Sequence, residues 1–93
     1  MTARDPVSGL RRRVTALKKQ KRFGWVERFE LARVSDGYDD AGIDVRVVVR
    51  SSAAGVLEDA ERLDDLADRV HRVFDGSDFY PYVGFVHADE LAA

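Results

Sequence analysis

Val7, Leu10, Val14 and Leu17 recur at spacings of three, four and three, which is one stripe of a helix. They predict a helix over residues 6–22. Pro6 suits its first turn, Asp5 is placed to cap it, and Phe23-Gly24 ends it. Residues 25–34, WVERFELARV, read as a strand with Trp25, Phe29 and Leu31 on one face. Val26, Arg28, Glu30, Ala32 and Val34 take the other. Residues 43–50, IDVRVVVR, alternate more cleanly. Ile43, Val45, Val47 and Val49 point one way; Asp44, Arg46, Val48 and Arg50 point the other. The turn formers of SDGYDDAG, residues 35–42, join the two strands into an antiparallel hairpin over 25–50. The acids of that loop invite a calcium site. It lacks the bidentate Glu and the spacing of an EF-hand, so it reads as a solvated connection.

A second helical stripe covers residues 54–74: Val56, Ala60, Leu63, Ala67, Val70 and Phe74, widened by Leu66 and Val73. Glu58 and Asp59 lie near its positive end, where acids are favoured, and Asp75-Gly76 is the stop. The last strand covers 81–87 within FYPYVGFVH, with Val83 and Phe85 inward and Tyr82, Gly84 and Val86 outward. Pro81 cannot donate to a ladder, so this strand belongs at an edge or begins late. The tail ADELAA can add a partial helical turn. The order is α-β-β-α-β. It predicts an α+β fold in a single domain over 1–93, with two helices packed on one face of a three-stranded mixed sheet. That order resembles small assembly modules such as ring-building domains of secretion systems and alkaline-shock-type proteins, in element order and length alone.

Length and composition narrow the class. A chain of 93 residues makes one domain. A domain this small buries only about 60–65% of its unfolded surface, so association would add stability. With 45% hydrophobic and 34% charged residues the chain is of folding composition. It has no cysteine, which excludes disulfides, thiolate zinc sites and Cys nucleophiles, and fits a reducing compartment. No apolar run approaches the roughly 20 residues of a membrane span. The start, MTARDPVSGLRRR, lacks the apolar core of a signal peptide, so a cytoplasmic location is expected.

Charge changes the picture most. The net charge of −2 conceals +7 over residues 1–22 and −9 over 23–93. The run LRRRVTALKKQKR, residues 10–22, holds seven of the fifteen Lys and Arg and no acid. Arg11, Arg12, Lys18, Lys19 and Arg22 form a basic patch beside the apolar stripe. It can meet the acidic edge of the second helix, where Asp64, Asp68 and Asp75 adjoin Glu61 and Asp65. It can also meet nucleic-acid phosphates. An anionic membrane surface is less suitable, because the stripe has no anchoring aromatic.

Asp64, Asp68, His71 and Asp75 project within about 60° of one another on a helix. Carboxylates with one imidazole can hold a divalent metal. The same acids would make His71 bind its proton more tightly, a possible pH-sensitive contact. The alternative is a plain acidic helix edge. On the outer sheet face Arg46, Val48, Arg50 and Tyr82 combine arginine, tyrosine and apolar groups, the mixture typical of interface centres. No glycine-rich phosphate loop and no Ser, His and acid in motif spacing occur. The expectation is therefore a non-enzymatic interaction or self-assembly module without cofactor, its partner a second copy or a larger protein. A nucleic-acid-binding accessory protein and a metal- or pH-responsive regulator are the alternatives.

Overall fold

The computed structural model describes residues 6–34 and 41–91. The SDGYDD part of the hairpin connection, with the calcium question attached to it, and the Asp5 cap lie outside the described residues. In chain order the elements are α1 (Pro6–Ala16), β1 (Val26–Arg33), β2 (Gly42–Val49), α2 (Ala60–Phe74), β3 (Tyr80–His87) and α3 (Ala88–Leu91). The strands form one mixed sheet in the order β1-β2-β3, with β1 antiparallel and β3 parallel to β2. The fold is α+β, as its periodicities predict.

The first helix is shorter than its stripe suggests. It ends at Ala16 and continues as two 3-10 turns, Leu17–Lys19 and Lys21–Phe23, with Gln20 extended between them. The reason lies in the stripe. Val7, Leu10, Val14 and Leu17 are buried, but the next position of the series is Lys21. A straight helix would drive that ammonium toward the core. The break at Gln20 turns the chain so that Phe23 is buried instead, and Lys21 stays exposed.

The second helix starts later than predicted. Residues Ser51–Glu58 form 3-10 turns that kink at Ala53, and α2 begins only at Ala60. Asp59 supplies the reason: its carboxylate accepts the Arg62 backbone N–H at 3.3 Å and caps the helix. Replacing it by alanine should cost about 0.5–2 kcal/mol in a denaturant titration, the usual range for a lost cap.

One bulge decides the sheet faces. Val26 pairs with Val49, but Arg28 pairs with Val48, so Glu27 is an extra residue in β1. Beyond it the alternation is as read from sequence. Before it the parity flips, and Val26, expected outward, is buried in the core. The core face carries Phe29, Ile43, Val45, Val47 and Val49, half-covered at β3 by Val83 and Phe85. Helices α1 and α2 close it with Val7, Leu10 and Val14 from one and Leu66, Val70, Val73 and Phe74 from the other. Trp25 lies in the turn ahead of β1. It meets Phe23 edge-on, 6.3 Å between centroids, and donates its indole N–H to the Arg22 carbonyl at 2.8 Å.

Candidate functional site

The opposite sheet face is not covered by the helix layer. Its cross-strand rows follow from the register: Arg28, Val48 and Val86; Glu30, Arg46 and Gly84; Ala32, Asp44 and Tyr82. The middle row is the most ordered. The Glu30 carboxylate accepts from Arg28 Nε at 2.9 Å and pairs with Arg46 Nε at 2.9 Å. The hydrogen bond from Arg28, with the positive charge of both arginines, holds the Glu30 carboxyl below its ordinary range. The third position of that row is Gly84, where a Cβ would meet no atom within 4 Å. The missing side chain leaves a groove of about 530 Å³, lined among others by Glu30, Ala32, Asp44, Arg46 and Tyr82. Beyond it Tyr80 and Tyr82 meet edge-on at 5.3 Å. They are 55% and 46% exposed, the large apolar side chains most open to solvent among the described residues.

Two of the four expected interface residues occupy this face, Arg46 and Tyr82. Of the other two, Val48 is buried, and Arg50 is exposed but lies past the end of the strand. Val48 points to the outer side, yet none of it is exposed. It lies between Arg28 and Val86, where α3 approaches: Arg28, Ala88 and Leu91 line one cleft at this end of the sheet. Strand neighbours thus bury a position that alternation alone leaves open. Arg50 lies past the end of β2. Its Nε donates to the Gly24 carbonyl at 2.8 Å and its backbone N–H to the Trp25 carbonyl at 2.9 Å. It braces the turn before β1.

The residues missed by sequence reasoning are Glu30, Asp44 and Gly84. Gly84 carried a signal, since a glycine inside a strand often marks close approach by another group.

No family model, curated protein or solved structure matches the chain. Its function is therefore argued from its own surfaces.

The expected metal cluster does not assemble. Among the described residues no group of three or more His, Asp or Glu is placed to hold a metal ion. Asp68 pairs instead with Arg72 at 3.1 Å, one helical turn on, and the His71 ring meets Tyr80 edge-on at 5.5 Å. Asp64 and Asp75 remain exposed on the helix edge.

A second cluster joins residues distant in sequence. Ser51 Oγ donates to Asp89 Oδ1 at 2.6 Å, and His87 Nδ1 stands 3.7 Å from Asp89 Oδ2. His87 Nε2 lies 3.3 Å from the Ser51 carbonyl. The three residue types are those of a hydrolase triad, but the connections are not. The hydroxyl is bonded to the carboxylate, and the ring reaches the backbone carbonyl where a general base would have to reach Oγ. This cluster ties α3 to the end of β2.

The basic patch stays largely unneutralised. Arg22 Nη1 reaches Asp65 of α2 at 3.4 Å. Arg11 donates to the Leu31 carbonyl at 3.4 Å. No ion pair joins Arg12, Lys18 or Lys19 to another described residue. No helix is long and apolar enough to cross a membrane among the described residues.

Proposed function

We propose that this protein is a non-enzymatic interaction module that self-associates through its open sheet face. The observation that carries the reading is the groove over Gly84, bordered by Tyr82 on one side and the Glu30–Arg46 pair on the other. An apolar and aromatic lining, here Ala32, Val45 and Tyr82, ringed by a few fixed charges is the composition that interfaces favour. A second copy is the partner argued for, because the face holds both signs: Arg28 and Arg46 against Glu30 and Asp44. A two-fold axis over the groove would set the acids of one copy against the arginines of the other, as an isologous contact requires. The absence of cysteine supports a cytoplasmic setting.

The area sets the strength. Three strands at about 4.8 Å and eight residues at about 3.3 Å give a patch of roughly 14 by 26 Å. That is small against the about 800 Å² per partner of a standard interface, so the dimer is weak and forms at high concentration. Light scattering over a dilution series tests it. The expected result is a concentration-dependent dimer that loosens with salt. Gly84→Gln would fill the groove without a clash and should leave a monomer with unchanged melting temperature. A monomer at every concentration in the parent protein would overturn the proposal, as would a Gly84→Gln dimer of unchanged strength.

A further inference from the structure

The expected partner of the basic run, the acidic edge of α2, is too weak to neutralise it. Residues 10–22 carry seven bases and no acid, whereas α2 with its flanking residues, 58–75, carries seven acids against three arginines, a net −4. Two of α2's arginines already occupy nearby carboxylates: Arg62 pairs with Asp59 at 3.1 Å and Arg72 with Asp68 at 3.1 Å. The single bridge between the two regions is Arg22–Asp65. Its two side chains are both partly exposed to solvent, which makes the bridge weak.

The charges that remain are accessible. Arg12, Lys18, Lys19 and Lys21 are exposed, and none pairs with a described acid. Like charges packed this closely repel one another, so a polyanion gains by approaching them. From these observations we infer that the segment from Arg11 to Arg22 is a binding surface for the phosphate backbone of a nucleic acid, engaged without reading sequence.

Three features favour that partner. The apolar residues of the segment, Leu10, Val14, Leu17 and Phe23, are all buried, so nothing is left to insert into a lipid bilayer. A second copy of this chain offers its densest acids over residues 58–68, six against one arginine, but three of the six already pair within the chain: Asp59 with Arg62, Asp65 with Arg22 and Asp68 with Arg72. The basic stretch of twelve residues is roughly 20 Å long at about 1.5–2 Å per residue. One strand of a duplex presents a phosphate about every 3.4 Å of axis, enough for each exposed base to find an anion. The surface lies on the helix layer, away from the groove over Gly84, so the two proposals fail separately.

The test is fluorescence anisotropy with the full chain and a labelled 20-base-pair duplex of arbitrary sequence. Four contacts predict affinity falling on the order of 100-fold between about 50 and 200 mM salt, with equal affinity for a scrambled duplex. Lys18→Gln with Lys19→Gln and Lys21→Gln should flatten the salt dependence by about 0.9 log units per log unit of salt for each lysine removed. Its melting temperature should stay at the parent value, because these side chains hold nothing in the fold. Gly84→Gln should bind like the parent. Absence of binding at low salt would overturn the inference. So would a triple variant that binds as the parent does, or binding to phosphatidylserine vesicles with none to the duplex.

Discussion

Val48→Asp should unfold this protein rather than separate its copies. Read from the alternation of β2, Val48 stands on the outer face beside Arg46 and looks like an ideal place to disrupt a partner. In the folded chain none of it is exposed. A carboxylate there would be ionised, desolvated and flanked by Val86, with Arg28 across the strand as the nearest register partner of opposite charge. Arg28 already pairs with Glu27 at 2.7 Å and Glu30 at 2.9 Å, so the new charge lacks a free partner, and an uncompensated buried charge costs about 3–5 kcal/mol. Domains of this class have about 5–15 kcal/mol in total, and a small one lies near the lower end. The expected outcome is loss of most of the helical circular-dichroism signal, or a melting temperature lowered well beyond that of any surface variant. A Val48→Asp protein that melts with the parent would show that this position is open to solvent in the folded protein.

Phe23→Ala should be nearly as damaging, by a different route. Phe23 is 1% exposed and stands where the basic run turns into β1. Its ring meets Trp25 edge-on, and Arg22, stacked 4.7 Å above the ring centroid, also supplies the carbonyl that accepts the Trp25 indole N–H. Removing the ring leaves a cavity under the 3-10 turns, and Phe→Ala at buried positions costs about 3–5 kcal/mol. Urea denaturation should show a midpoint lowered accordingly. A loss under about 1 kcal/mol would mean that the turns of Lys21–Phe23 are not anchored by this residue. The consequence reaches the charged surface too. Phe23 fixes where Lys18, Lys19 and Lys21 stand relative to the sheet. Adding salt should therefore not restore a compact Phe23→Ala variant.

The two proposed surfaces differ in kind. The open sheet face is shallow and mixed in charge, suited to a partner that forms and leaves. The basic segment is dense and mostly unpaired among the described residues, the chemistry proposed above for a polymer of phosphates. They lie on different layers of the fold, so one can be occupied without displacing the other. Nothing in the Ser51–His87–Asp89 cluster competes with this view, because its hydroxyl is committed to the carboxylate that holds α3 in place.

Much of the fold was legible along the chain. Helix-spaced apolar residues from Val7 to Leu17 and from Leu63 to Phe74 do line the core. The strict alternation of Ile43, Val45, Val47 and Val49 does mark the buried face of the central strand. These features were readable because periodicity is local: a side chain's direction follows from its neighbours in sequence. The errors share a cause as well. Val26 was assigned outward because one added residue, Glu27, reverses the parity of a strand, and only pairing with β2 reveals it. Val48 reads as surface from the alternation of β2, yet it is fully buried between Arg28 and Val86, neighbours that only the strand pairing supplies.

The candidate sites divide along the same line. Sequence by itself determined the element types, the core positions, the concentration of positive charge before residue 23 and the absence of thiol chemistry. Each is a property of composition or of neighbouring residues. Tertiary structure alone decided that His71 turns to Tyr80 of the last strand, whereas the Asp68–Arg72 pair, one helical turn apart, is local. It decided that Glu30 binds arginines from two strands, that Gly84 opens a groove beside them, and that the basic run finds one acid where several were available. Those outcomes depend on which distant side chains arrive within about 4 Å of each other, and a sequence read in order carries charge and period but not that distance.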